Sequence, residues 1–535
     1  MMIDRRQLLR CLAGSVGMSL LAACTSPIPS SAPTAPNPTA QSSIATSATA
    51  ATPEGQPRSG GTLQIATITD ITQLEAHRLQ GQNWNMIYPM FDRLTQYDAT
   101  LTPQPRLAQS WDFSTDNKTL QIHLRQGVQF HTGRELTSDD IKYNITRARD
   151  PKTGAAQMVT MGNWWSDIQT PDKSTVVLTS EQPRPAGFDF LEYLNIIDSV
   201  TAEGPDAATK LVGTGPFTLG EWVAGDHLTL NKNTHYWQSG VPYLDQIVFH
   251  IGRDQQALIT QLEAGAIDAM DAPPVTDAVR LKSDPAYTLT VNSNTGGYNA
   301  VLANTSVPPL DNKQVRQALN FAINRQRFVD SVLLGVGTAE DLVWPTGSPA
   351  YEAAKLNQYA FDLDRARQLL TSAGASSVAL DLTYVAANSA FAQLAQIYQA
   401  DLGSIGVTAT LRPVDAAVWS QVTPKAQYQG LNLAPGGFAQ VQPTTFFLFS
   451  VYWALQNNAE AFDSDQYRQL IGAASTETDA AKRKQLFAQL NDFVLDQSVV
   501  MLINASPETY LARARLHGQT YNMHQGLEMQ QLWLG

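Results

Sequence analysis

The sequence predicts an α/β body with α+β elements, divided into more than one domain. Three observations carry that expectation. The chain has 535 residues, too many for one core, so two to four domains are expected. Its composition is that of a folded protein, with 43% hydrophobic and 16% charged residues. From residue 60 onward, strand-like and helix-like stretches alternate irregularly without a short repeat, as mixed strands and crossover helices do.

The elements follow from local patterns. Gly61 to Ala66 alternates like a strand, and so does Leu120 to Leu124. Gln126-Gly127 predicts a turn that pairs the second strand with Val128-Gln129-Phe130 as a hairpin. Thr137-Ser138-Asp139-Asp140 caps a helix through Ile141, Ile145 and Ala148, with its acids at the positive end. Val315, Leu319, Ala322, Ile323 and Val329 fall near helical spacing and predict a helix from Val315 to Leu334. Asp364 to Leu370 and Gln393 to Leu402 are helical and end at Gly374 and Gly403. A last long helix is expected from Ala480 to Leu495.

The N-terminus reads as an address followed by a tether. Arg5, Arg6 and Arg10 precede a short apolar stretch from Cys11 to Ala22, too short to span a bilayer. Residues 1–23 are therefore expected to be a signal peptide. Leu21-Ala22-Ala23-Cys24 resembles a bacterial lipobox, which implies lipidation of Cys24 after cleavage. The plain alternative is an ordinary signal with an incidental cysteine. Asp4-Arg5-Arg6-Gln7-Leu8-Leu9-Arg10 also resembles a twin-arginine motif, and both export routes stay open. Thr25 to Arg58 is almost wholly Ser, Thr, Ala and Pro, which cannot bury a core. Residues 24–59 are read as a disordered linker spanning roughly 30 Å.

Charge and cysteine content exclude several classes. Lys plus Arg total 36 against 48 Asp plus Glu, a net charge of −12. Loss of residues 1–23 removes Asp4 and three arginines and takes the charge to −14. No basic cluster opposes that balance, so nucleic acid is not expected as a partner. The two cysteines, Cys11 and Cys24, leave no disulfide framework, CxxC pair or thiolate metal site in the folded part. His123 and His131 could approach on a hairpin, but no metal-binding spacing accompanies them. Gly213-Thr214-Gly215-Pro216-Phe217 is glycine-rich, yet Pro216 breaks a dinucleotide pattern and no Lys-Ser/Thr follows. No catalytic constellation, cofactor or metal is expected.

Several ordered segments resemble one family. They are Leu107-Ala108-Gln109-Ser110-Trp111, Ser114-Thr115-Asp116, His123 to Gly133, and Ser138-Asp139-Asp140-Ile141. Gly213 to Phe217, Asn231 to Trp237, Leu310 to Arg325, Phe361 to Gly374 and Pro443-Thr444-Thr445-Phe446 continue the series. Together they resemble the extracellular solute-binding proteins of family 5, the peptide/nickel-type receptors of ABC importers. The resemblance implies a two-lobe fold of the periplasmic-binding-protein type II kind, with an extra small domain and a hinged cleft. It places lobe I at 60–96, 184–300 and 509–535, the small domain at 97–183, and lobe II at 301–508. Chain crossings near Asn299–Asn304 and Pro507–Leu511 would form the hinge.

The run from Ala426 to Ala459 carries no charge. A membrane span is a poor reading, because two prolines and many amides oppose insertion. In peptide-binding relatives an aspartate in this segment meets the ligand's amino group. The matching position here is Ala439, with no acid nearby in sequence. Losing the carboxylate favours a ligand without a free amino terminus, since a buried unpaired ammonium is costly. Phe438, Gln440 and Gln442 instead offer an aromatic face and amides, which suits an oligosaccharide-like solute. Further ligand candidates on segments lining the family's cleft are Asn83, Trp84, Tyr298, Asn299, Trp344 and Trp419; each aromatic could equally be core.

The expected function is a monomeric, lipid-anchored extracytoplasmic receptor that delivers a small solute to ABC permease subunits. A peptide receptor using another acid, Asp271 above all, is the alternative. An exported hydrolase on the same fold is a further one.

Overall fold

In the computed structural model the described residues are 55–535, apart from 72, 79–83, 206, 208, 376, 438–440, 456 and 524–525. Cys24, Asn83, Phe438, Ala439 and Gln440 lie outside them, as do the expected signal peptide and most of the linker.

Three sheets organise the chain. The lobe I sheet has seven strands, in the order Tyr287–Asn292, Glu508–Arg513, Ala269–Asp271, Thr62–Thr67, Gln246–Ile251, His227–Lys232 and Phe217–Val223. Thr62–Thr67 pairs in parallel with strands on both sides. Leu63 and Ile65 are fully buried there, as the period-two pattern predicts. The lobe II sheet has six strands, ordered Thr338–Ala339, Val500–Ala505, Tyr298–Ala303, Gly430–Gly436, Val378–Val385 and Val407–Val414. The third is a small antiparallel sheet of Ala108–Phe113, Thr119–Leu124, Thr175–Thr179 and Asp167–Asp172, and two two-stranded ribbons, Thr95–Tyr97 with Pro103–Pro105 and Leu516–His517 with Trp533–Leu534, accompany the sheets.

The chain passes between the two large sheets at 293–297 and at 506–507. The first crossing comes earlier than expected, because Tyr298–Ala303 is already paired on both edges inside lobe II. The crossings are bonded to each other. Ser506 N donates to Gly297 O at 2.8 Å, and Thr295 Oγ1 donates to Ser506 O at 3.0 Å. Two adjacent connecting segments between the sheets suit a hinge.

Two local expectations are corrected. Thr119–Leu124 does not form a hairpin with Val128–Phe130. Its edges are taken by Ala108–Phe113 and Thr175–Thr179, and Gln129 makes only an isolated bridge to Glu135. The expected helix from Val315 to Leu334 is two helices, Lys313–Phe321 and Arg325–Ser331. Asn324 interrupts it by capping the second, its side chain accepting from Arg327 N at 3.1 Å. The helices Ser138–Ala148, Leu363–Ser372, Ser389–Gly403 and Ala480–Gln497 form where the pattern put them. At the first, Asp140 Oδ2 accepts from Thr137 N at 3.0 Å, closing the cap.

Among the described residues, no helix is long and apolar enough to cross a membrane. The uncharged run instead supplies a central strand, Gly430–Gly436, and the helix Pro443–Phe449. Its strand is buried from Gly430 to Ala434, as a strand covered on both faces must be. Asn432 is tolerated inside because Trp419 Nε1 donates to it at 2.9 Å and it donates to Thr423 Oγ1 at 2.8 Å.

One hydrophobic core runs from the small sheet through the helix Gly187–Tyr193 into lobe II, joining Trp165 and Phe190 to Trp344 and Phe446. Small domain and lobe II are thus packed together, which bears on the site.

Candidate functional site

A cleft of 1120 Å³ opens where three parts of the molecule meet. Lobe I contributes Trp84, and the helix Gly187–Tyr193 contributes Tyr193. The small domain contributes Gln157, Thr160 and Trp164. Lobe II contributes Gly436, Gly437, Phe449, Tyr452 and Ser475. A cleft of this size between sheets is a ligand-sized volume.

Its aromatic walls are built, not accidental. Trp84 packs edge-on to Tyr193 with centroids 6.0 Å apart. Trp164 reaches across to Phe449 at 6.3 Å. The neighbouring Trp165 points the other way and is only 2% exposed, so adjacent tryptophans serve core and cleft separately. Tyr452 donates its hydroxyl to Pro435 O at 2.8 Å, fixing its ring against the strand end. Gly436 is obligatory at that strand end, since the Tyr298 ring occupies the space a Cβ would need. Gly437 and Gly472, by contrast, face open space in the cleft.

Polar groups between the rings are amides and hydroxyls: Gln157, Gln182, Thr160, Ser450, Ser475 and Thr476. Among the described lining residues one side chain is charged, Arg184, and none is acidic.

The structure scatters the sequence-derived candidates. Trp84 lines the cleft. Tyr298 and Trp344 are 1% and 2% exposed and belong to the core behind it. Trp344 stacks edge-on against Phe446 at 5.1 Å and donates Nε1 to Asn491 at 2.7 Å, so its ring and its polar atom are both committed. Trp419 is committed to Asn432. Asn299 bonds Asn504 at 3.0 Å and Ser506 at 2.9 Å, pinning the crossing strands together. Gln442 begins the helix Pro443–Phe449, and its backbone N–H donates to Asp189 at 3.2 Å.

Asp271 sits at the carboxyl end of its strand in lobe I, accepting from Asn85 Nδ2 at 3.2 Å. Burial pushes it up to about 6. Directly opposite on the next strand is Tyr510, whose buried hydroxyl has no hydrogen-bond partner among the described residues. Two residues back along that strand is Glu508, pushed up to about 7 by burial and by Asp271. The pair lies outside the lining of the main cleft.

The histidines are accounted for locally. His131 accepts at Nδ1 from Gly213 N at 3.3 Å, so its Nε2 donates to Gly215 O at 3.1 Å. Burial lowers it to about 4. It ties the small domain to the glycine turn, whose Gly213 and Gly215 leave no room for a Cβ beside Met90. His123 faces Asp112 at 3.7 Å on the surface.

Sequence reasoning missed the small domain's share of the cleft, Gln157, Thr160 and Trp164, and Arg184 just beyond it. The Trp164-Trp165 doublet was the available signal, because two adjacent large rings cannot both enter one core. It also missed Glu460, the residue that follows the uncharged run. Glu460 is fully buried, both its carboxylate oxygens lack hydrogen-bond partners among the described residues, and burial pushes it well above the usual carboxylate range.

Residues 102–460 match the family model for bacterial extracellular solute-binding proteins, family 5 Middle. Heme-binding protein A of Haemophilus influenzae is 26% identical over 459 residues, 78% of this chain and 82% of that protein. Glutathione-binding protein GsiB of Salmonella typhimurium is 29% identical over 408 residues, 73% of this chain and 78% of that protein. Among solved structures, the binding protein AgaA from A. tumefacien R10, in complex with agropinic acid, superposes with a TM-score of 0.72. Its identity is 26%, over 89% of this chain and 99% of that one.

Proposed function

This chain belongs to the bacterial extracellular solute-binding proteins of family 5, and from that premise we propose a specific receptor role. It is a lipid-anchored extracytoplasmic receptor that takes an oligosaccharide-like solute between its lobes and delivers it to the permease of an ABC importer. The observation that carries the solute class is the lining of the 1120 Å³ cleft, with aromatic faces, amides and hydroxyls and no acid among the described residues. Rings stack on sugar faces, and amides pair with hydroxyls. A ligand with a free ammonium finds no counter-charge there. The anchor rests on Leu21-Ala22-Ala23-Cys24 and the polar tether after it. Several acyl chains hold a protein at a membrane where one does not.

The test is calorimetric titration of the full chain with an oligosaccharide panel and a peptide library. Saccharide binding in the micromolar range is expected. Micromolar peptide binding that N-acetylation abolishes would replace the saccharide reading. A change of Cys24 to Ser should release the protein from the membrane fraction, and retention would refute the anchor.

A second reading is favoured by Asp271. Its carboxylate and that of Glu508 lie near each other without an ion-pairing cation among the described residues. A peptide ammonium placed there would relieve both. Asp271→Asn separates the readings: it weakens only a ligand that carries an amine.

A further inference from the structure

We propose that Arg184 is a carboxylate-binding subsite of the cleft, so that the solute is an acid rather than a neutral molecule. The proposal rests on reading the cleft as the solute site, and it narrows the chemistry of what enters.

Arg184 lines the cleft on the segment between the strand Thr175–Thr179 and the helix Gly187–Tyr193. Its guanidinium makes no hydrogen bond or ion pair among the described residues. Its Nε is buried and without an acceptor. The guanidinium carbon lies over the Trp164 ring, 5.6 Å from the centroid. That stack holds the plane of the fork while leaving its edge free.

Several part-buried arginines of this chain have committed partners, although Arg93, stacked over the Tyr88 ring in the core, also leaves Nε and Nη1 without an acceptor among the described residues. Arg134 binds Asp140 and Asp198, each at 2.5 Å. Arg147 binds Glu75 at 2.6 Å, and Arg325 binds Asp341 at 2.9 Å. Arg316 is met by the carbonyls of Gln497 and Leu310, each at 2.8 Å. Arg184 differs from Arg93 in lining the cleft, where a ligand can supply the missing partner. The nearest acid in sequence, Glu181, is exposed and makes no bond to it.

The backbone presents the side chain rigidly. Pro183 and Pro185 flank Arg184. A proline on each side fixes two φ angles and keeps the middle residue extended. The backbone then loses little freedom when an anion binds, and the Trp164 stack is what restrains the side chain.

A single guanidinium with no second cation beside it matches a single planar charge. A carboxylate fits its fork through two parallel bonds. A phosphate monoester, carrying nearly two charges, would keep much of its charge uncompensated. Gln157, Thr160 and Gln182 near the arginine can donate further bonds to the acid's neighbouring hydroxyls or amides.

Two kinds of solute carry such a group, acidic saccharides and peptide-like acids, and matched pairs distinguish them. The full chain is titrated calorimetrically with trigalacturonic acid and its methyl ester, and with N-acetyl-Tyr-Ala as acid and as amide. Maltotriose is the neutral control and glucose 6-phosphate the phosphate control. The acid of one pair is expected to bind roughly ten- to hundredfold more tightly than its neutral partner. That pair names the source. Arg184→Gln should erase the difference within the pair, and Arg184→Lys should restore only part of it, because an ammonium lacks the fork.

Equal binding of acid and neutral partner overturns the proposal, and so does an acid preference that survives Arg184→Gln. Tighter binding of glucose 6-phosphate than of either acid overturns it as well. Maltotriose binding while neither acid binds overturns the carboxylate subsite and leaves the receptor reading standing. No binding of any probe, with no solute in native mass spectra of protein from its own cells, overturns both.

Discussion

Asp189 and Arg184 stand on one short segment, and their charges are treated in opposite ways. Asp189 is fully buried between the small domain and lobe II. Tyr97 Oη donates to it at 2.8 Å, Gln442 N at 3.2 Å, and Thr445 Oγ1 as well. Each of those donors is part of the frame, so the carboxylate is a structural tie. Arg184 lies half-buried in the cleft and has no such partner. The comparison teaches how to read charge in this molecule. A buried acid surrounded by fixed partners holds parts together, whereas a cation left without a partner in a cleft is placed for something that arrives.

The largest expected effect comes from breaking the tie. Asp189→Ala leaves three donors buried without an acceptor and should lower the unfolding free energy by about 3 kcal/mol. Urea unfolding measures it. A loss below about 1 kcal/mol would mean that water replaces the carboxylate.

Next comes pH. Burial raises Asp189 to about 7, well above its ordinary value of 3.8. Its folded form therefore favours the proton. Its contribution is full below about pH 4 and is lost as pH rises through about 7. Relative to Asp189→Asn, the wild type should lose stability between about pH 4 and pH 7, by at most about 1.4 kcal/mol per unit, and level off above that. Parallel stability curves for the two proteins would place the titration elsewhere.

Trp164→Ala sharpens the contrast from the cleft side. It removes a wall that stacks on ligand and on Arg184, and affinity should fall roughly tenfold. Its partner in sequence, Trp165, is core, so Trp165→Ala should cost about 3 kcal/mol of stability instead. Similar stability losses in both variants would contradict the division.

The smallest effect is the counterpart of the first. Arg184→Gln should change stability by no more than about 0.5 kcal/mol, because the side chain loses only its stack on Trp164 and no hydrogen bond or ion pair among the described residues. A larger loss in thermal or urea unfolding would show that the arginine is structural after all.

Much of the frame was legible in the sequence, because strand and helix periods are local. Thr62–Thr67 and Ser138–Ala148 follow from alternation and from a capping sequence alone. The hairpin at Gln126-Gly127 was misread because a turn signal does not say which strand edges are already occupied. The split at Asn324 was missed because a capping residue inside an apolar pattern competes with the pattern itself. The site was less legible. Tyr298 and Trp344 have the same composition signal as Trp84, and only packing against Phe446 assigns them to the core. Arg184 and Trp164 lie far from the uncharged run in sequence and meet it across the shared core, which no local pattern reports.

The central claim is that a solute occupies this cleft. It is tested most directly by native mass spectrometry of the full chain isolated from its own cells, beside Gly472→Trp. Gly472 lines the cleft on the helix Asp465–Thr476, and a side chain there meets open space. The variant therefore folds with the cleft partly filled, and replacing a helical glycine is not expected to destabilise it. A discrete extra mass is expected on the wild type, lost on denaturation and absent from the variant. The same bound mass on both proteins, or none on the wild type, would contradict it.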